Sequence, residues 1–198
     1  MTKLSIVYYS TYGTNYQMAM WAKEFAETQG AEVRLVKAAE LAPQSVIDGQ
    51  PGWKAMQEKT ADIPVASSAD LEWADAILFS VPTRFGNMAA QMKQFLDIQG
   101  GLWAQGKLAN KVVSAMTSAQ NPHGGQEATI LSLYTTMYHW GAIVVTPGYT
   151  DAVLFTTGGN PYGTSATVDQ QGNIVGDVKP AIEVQVRRVL EVANKLTA

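Results

Sequence analysis

Five short apolar runs, each closed by turn residues and nearly all followed by helical spacing, constrain this chain more than any other feature. Residues 4–9 form the first, and their near-continuous apolar character suits a strand covered on both faces. "EVRLVK" from Glu32, "ADAILFSVPT", "KVVSAMTS" and "AIVVTP" supply four more. Between them, residues 16–29 place Met18, Trp21, Ala22, Phe25 and Ala26 on one helix face, with Gly30 where a C-terminal cap belongs. "NMAAQMKQFLD", "GQEATILSLYTTMYHWG" and "KPAIEVQVRRVLEVANKL" read as further helices. This alternation predicts right-handed crossovers and a doubly wound parallel α/β sheet, one domain over residues 1–198. Pro43, Gly49, Pro51, Gly52 and Pro64 interrupt the stretch after the second strand too often for one long helix. The Gly- and Thr-rich residues 148–177 are the oddity, because structureless loops of that length are usually functional or interfacial.

Ligands of such sheets bind beyond the carboxyl ends of the strands, so the loops after strands one, three and four carry the functional expectation. The first, residues 10–15, offers the hydroxyls of Ser10, Thr11 and Thr14, the amide of Asn15 and a flexible Gly13, but no Lys or Arg. A helix N-terminus can hold a phosphate through backbone N–H groups and its dipole without any cation. Neither the three-glycine dinucleotide fingerprint nor the lysine-bearing nucleotide loop is present. Taken alone, the loop also reads as an ordinary capped helix start. In the second loop, "PTRFGNM", Arg84 could pair with an anionic ring edge, Phe85 pack on a planar ligand and Gly86 let amides approach, although an Arg at a strand end taken alone reads more often as a solvated salt-bridge partner. The third, "TSAQNPHGGQE", adds Ser118, Gln120, Asn121, His123 and two glycines. Together the three describe a planar, polar-edged, phosphorylated ligand.

Composition excludes several alternatives. A net charge of -3 and a pI near 5.4 give no positive field for nucleic acid or anionic lipid. The absence of Cys removes disulfides, thiolate zinc sites and cysteine nucleophiles, and no carboxylates stand at metal spacing from His123 or His139, so no metal is expected. Residues 1–10 enter a strand without a signal-peptide pattern, and no apolar run reaches the roughly 20 residues of a membrane span, so a soluble cytoplasmic protein is expected. Charged residues make up 16% of the chain. Against roughly 25% in soluble proteins, this suggests surface covered by another subunit or, alternatively, a loop-rich surface of Ser, Thr, Gln and Asn.

The chain resembles the WrbA (tryptophan-repressor-binding protein) family of flavodoxin-like NAD(P)H:quinone oxidoreductases. The resemblance rests on "YYSTYG" (8–13), "PTRFGNMAAQMKQFLD" (82–97), "GGLW" (100–103), "GGQE" (124–127) and "GNPYG" (159–163), in the family's order. It implies a flavodoxin-like five-stranded parallel sheet of order 2-1-3-4-5 with helices on both faces, FMN as cofactor and NADH or NADPH as co-substrate. It also implies two-electron, ping-pong reduction of quinones and assembly as a homotetramer whose sites border neighbouring subunits. By this likeness Ser10, Thr11, Tyr12, Gly13, Thr14 and Asn15 would surround the phosphate side. Pro82, Thr83, Arg84, Phe85, Gly86 and Asn87 would line the flavin ring, and Thr117, Ser118, Ala119, Gln120, Asn121 and Gly124 would close its other edge. Tyr12, Trp103 and His139 would form the pocket where nicotinamide and quinone bind in turn, with His139, Tyr12 and Arg84 as the catalytic set. Three departures stand out: Thr14 and Asn15 where members have a His and an apolar residue, "SAQNPHGG" in place of a Thr- and Gly-rich run, and Trp140 where a second His is common. The rival expectations are a one-electron flavodoxin-type carrier, disfavoured by the modest charge and the "GGLW" loop, and a non-catalytic flavin-binding regulator.

Overall fold

The computed structural model describes residues 1–197. Five parallel strands, β1 (Lys3–Tyr8), β2 (Glu32–Lys37), β3 (Ala76–Arg84), β5 (Val112–Ala119) and β6 (Ile143–Val144), lie in the spatial order β2-β1-β3-β5-β6. This is the expected 2-1-3-4-5 arrangement of a flavodoxin-like sheet, with two short additions. β4 (Asn87–Met88) folds back antiparallel on β3, and β7 (Ser165–Thr167) runs beside β5.

Side-chain alternation along the central strands explains the double winding. Leu4, Ile6, Ala76, Leu78, Val112 and Met116 face α1 (Thr14–Thr28) and α8 (Lys179–Thr197). Val7, Ile77, Phe79, Val81, Val113 and Ala115 face the other way, onto α4 (Ser68–Trp73), α5 (Ala90–Asp97), α6 (Gly100–Ala104) and α7 (Gln126–Trp140). The punctuated stretch after β2 folds as α2 (Gln44–Asp48) and α3 (Pro51–Lys59), with Pro51 opening α3 where its missing N–H costs nothing.

Two expectations are corrected. The helix expected from Asn87 begins at Ala90, because Asn87 and Met88 pair with Arg84 and Thr83 across a two-residue hairpin turn formed by Phe85 and Gly86. Both turn residues have positive φ, 52° and 76°, as the tight turns that suit strand twist require. The fifth strand, expected over 142–147, is only Ile143–Val144. The chain then leaves the sheet, makes a 3-10 turn (Ala152–Phe155) and returns as β7 on the same edge of β5.

Where that edge is interrupted, side chains replace the strand. Ala115 N donates to Tyr134 Oη at 3.1 Å, and Gln185 Nε2 donates to Ala115 O at 2.8 Å and to Ser114 Oγ at 2.7 Å. Tyr134 Oη in turn donates to Tyr162 O, and Gln185 Oε1 accepts from Thr164 N. Helices from both faces thus satisfy the β5 backbone and hold the returning segment. Gly163 permits the approach, since a Cβ there would lie 2.0 Å from Ala115 O.

Candidate functional site

At the carboxyl ends of β1, β3 and β5 lies a cavity of about 920 Å³, within the range of small-molecule sites. The loop 9–13 forms one wall. Gly13, with φ 103°, starts α1, and Gln17 N is the first to reach a helix carbonyl, Gly13 O. No side chain caps α1, so the N–H groups of Thr14, Asn15 and Tyr16 leave the first turn without an intrahelical acceptor. Ser10 Oγ accepts from Gly13 N at 3.0 Å, which tightens the loop and leaves the hydroxyl proton free to donate. This is the anion-holding geometry expected of a helix start whose own sequence carries no Lys or Arg.

Asn15 behaves differently from its expected role as a side-chain phosphate ligand. It is buried, its Nδ2 donates to Ser80 Oγ at 3.1 Å, and its Oδ1 accepts from Ser118 Oγ at 2.6 Å. The amide ties α1 to the ends of β3 and β5, and the backbone N–H is what Asn15 can offer a ligand.

Pro82, Thr83, Arg84 and Phe85 line the second wall, and Ser118, Ala119, Gln120, Asn121 and Gly124 the third. Phe85 is fully solvent-exposed at the hairpin tip. The two walls meet at a glycine-to-glycine contact: a Cβ on Gly125, which has φ 89°, would come 2.7 Å from Gly86 Cα. Below it, the hydroxyls of Thr83, Thr117 and Thr129 form a ladder with 3.1 Å steps, which fixes the floor.

Arg84 is the cation of the lining and Asp169 its carboxylate. Arg84 Nη2 donates to Thr11 Oγ1 at 2.9 Å and Nη1 to Thr83 O at 3.1 Å, so the guanidinium bridges the first two loops. Asp169 is committed to its own turn: the backbone N–H of Asn173 leads the donors that hold its carboxyl below the ordinary range. Tyr12 packs its ring 3.4 Å from where a Gly52 Cβ would stand and donates to Gln50 Oε1.

Several expected residues stand apart from this lining. Thr117 is buried beneath the floor, Gly86 backs the wall and Asn87 is exposed on β4. Gly13 lines an adjoining groove between α1 and α3 instead. Trp103 and His139 form a separate pair, with Trp103 Nε1 donating to His139 O at 3.0 Å. Gln126 opens α7 beside the cavity, whereas His139 sits near the helix's other end, about 20 Å away. One chain therefore brings the three loops together but leaves Trp103 and His139 at the opposite edge of the sheet.

The lining also includes Gly52 and the tip of a hairpin, Val168, Asp169, Gln170, Gln171 and Gly172, whose arms pair at Val168 and Ile174. The sequence marked residues 148–177 as functional or interfacial but did not separate this tip. Its signal was "DQQGN", an Asp turn closed by Gly between β-prone residues.

These features define an α/β protein whose open helix N-terminus and two strand-end loops border one cavity. The chain belongs to the NADPH-dependent FMN reductase family, whose model matches residues 3–157. It is 57% identical over 194 residues to an NAD(P)H dehydrogenase (quinone) of Deinococcus radiodurans, covering 98% of this chain and 96% of that one. A protein of the same name from Aromatoleum aromaticum is 42% identical over 205 residues, covering 98% and 97%. Among solved structures, the WrbA-like flavodoxin from Agrobacterium tumefaciens superposes with a TM-score of 0.65 at 24% identity, covering 98% and 99%. The residues of the cavity fit FMN: the uncapped α1 N-terminus suits one terminal phosphate, and the loops carrying Pro82 to Phe85 and Ser118 to Gly124 stand where they can flank a ring.

Proposed function

We propose that the protein is an FMN-dependent NAD(P)H:quinone oxidoreductase of the WrbA type, a single flavodoxin-like domain that works in the cytoplasm as a homotetramer. The observation that carries this reading is the uncapped start of α1 opening into the same cavity as the loops that carry Pro82 to Phe85 and Ser118 to Gly124. A terminal phosphate and a flat ring together describe FMN better than a dinucleotide or a nucleoside triphosphate. The quinone reductase relatives support the same choice.

When bound, FMN supplies two-electron chemistry, accepting from NAD(P)H and donating to a quinone in a ping-pong cycle. The N–H groups of the α1 first turn and the Ser10 and Thr14 hydroxyls would hold its phosphate. Thr83, Phe85, Ala119 and Gly124 bound the ring. Arg84, fixed between Thr11 and Thr83, would supply the positive charge of the lining toward a reduced, anionic flavin. Tyr12, braced on Gly52 and Gln50, forms the wall against which nicotinamide and quinone stack.

Trp103 and His139 enter this cycle from a neighbouring subunit. They lie too far from their own cavity, and Trp103 (56% exposed), Tyr138 (63%) and Ile98 (64%) leave apolar surface open around them. The low proportion of charged residues supports the same assembly. In the tetramer, His139 would donate a hydrogen bond or a proton to the quinone oxygen and Trp103 would help enclose the substrate.

The test is nucleotide consumption with and without benzoquinone, comparing FMN-free with FMN-reconstituted protein. Quinone-dependent consumption only after reconstitution is expected. Equal rates in both preparations would remove FMN from the mechanism.

A further inference from the structure

We propose that Glu40 is a positioning residue of this site, acting on Arg84 through the hydroxyls of Tyr9 and Thr11. Glu40 lies outside the cavity lining, yet its carboxylate collects five donors. Oε1 accepts from Leu41 N (2.8 Å), Ala42 N (3.0 Å) and Gln91 Nε2 (2.8 Å), and Oε2 from Tyr9 Oη (3.0 Å) and Trp53 Nε1 (3.1 Å). Leu41 and Ala42 belong to Glu40's own loop, and the other three donors come from just after β1, from α3 and from α5. Burial pushes the Glu40 carboxyl up, but the donors from Ala42, Gln91, Leu41 and Tyr9 more than offset it and leave it below the ordinary range. It is a carboxylate at neutral pH and can only accept.

That constraint propagates. Tyr9 must spend its proton on Glu40, so its oxygen lone pairs are left to accept, and Thr11 Oγ1 donates to it at 3.5 Å, the longest and weakest link. Thr11, having given its proton, accepts from Arg84 Nη2 at 2.9 Å. Every hydrogen bond from the guanidinium to the carboxylate points the same way, and bonds so aligned polarise one another. Tyr9 and Thr11 are both buried, which shields the chain from water. Thr11 belongs to the phosphate loop and Arg84 to the ring wall, so the chain sets the two halves of the cavity relative to each other. Glu40 also grips Trp53, one residue beyond the Gly52 on which Tyr12 rests.

The proposal rests on FMN occupying the cavity, and its test separates the two claims. FMN affinity of the apoprotein is measured for wild type, Tyr9→Phe, Glu40→Gln, Arg84→Ala and the Tyr9→Phe/Arg84→Ala double variant. Thermal melts confirm that each is folded. Tyr9→Phe and Glu40→Gln are expected to weaken FMN binding about tenfold. In the Arg84→Ala background Tyr9→Phe should then change it by less than about twofold, because the chain has lost its far end. Unchanged affinity in both single variants overturns the proposal, as does a Tyr9→Phe loss that persists in full without Arg84, which would mark a purely structural role. A wild type that binds no FMN overturns the flavin reading instead. The Arg84 guanidinium resonances of the ligand-free protein then decide the relay by themselves. Resolved signals in wild type that average in Tyr9→Phe support it, and identical signals in both overturn it.

Discussion

Gly125 shows how one backbone position can shape a site. Its φ of 89° and the 2.7 Å that would separate an added Cβ from Gly86 Cα leave no room for alanine. Gly125→Ala should weaken FMN binding at least about tenfold and destabilise the fold by about 1–3 kcal/mol, from left-handed strain and displacement of the hairpin tip. Isothermal titration and denaturant unfolding read the two effects, and a variant as tight and stable as wild type would show that the walls are compliant. Glu40 carries a pH signature of its own. Its folded carboxyl titrates below the ordinary value, so its stabilising effect is complete above the unfolded pKa of about 4.3 and is lost as pH falls through the folded value. The stability difference between wild type and Glu40→Gln should therefore be largest near neutrality and shrink below about pH 4. A difference that stays constant down to pH 3 would contradict the assignment of charge. The loop 10–15 could be read from the sequence because hydroxyls, glycine and a following helix sit within a few residues of each other. Glu40 could not, since its donors at Tyr9, Trp53 and Gln91 are brought to it only by the fold. Asn15 was legible as a polar residue at a helix start, but its partners Ser80 and Ser118 lie 65 and 103 positions away.

Secondary-structure elements follow the same division. The continuous apolar runs of β1, β3 and β5 announced themselves because burial on both faces demands them. The edge strand did not, because β6 and β7 are two and three residues long and separated by an excursion that periodicity cannot span. What closes that gap is Gln185, an apparently ordinary polar residue on an amphipathic helix that proves fully buried with three partners. Gln185→Leu would strand Thr164 N and weaken the satisfaction of Ala115 O. It should cost about 3 kcal/mol, seen as a fall in Tm of roughly 5–10 °C. An unchanged Tm would mean that water or the backbone replaces the amide without loss. The hairpin ending in Asp169–Gly172 was hidden for the same reason as the split strand, since its pairing reduces to a single bridge between Val168 and Ile174.

For the whole molecule, the sheet and its cavity follow from the pattern of strands and helices, while the proposed roles of Trp103 and His139 require a second subunit. Trp103 and His139 sit at the amino edge of the sheet, and the cavity opens at the carboxyl edge. On the proposed assembly, in which a neighbouring subunit supplies them, the protein should sediment as a tetramer. A mixture of Trp103→Ala and Arg84→Ala subunits, refolded together, should recover quinone reduction that neither variant shows alone. Failure of the hybrids to exceed their parents would place Trp103 outside the site. The measurement that reaches the central claim most directly is anaerobic mixing of the FMN-reconstituted protein with NADPH or NADH, followed in the same cell by benzoquinone. The account predicts that the nucleotide bleaches the flavin absorbance in one stoichiometric step and that the quinone restores it. If flavin binds but neither nucleotide bleaches it, or if the quinone fails to return the oxidised spectrum, the protein is not a quinone reductase.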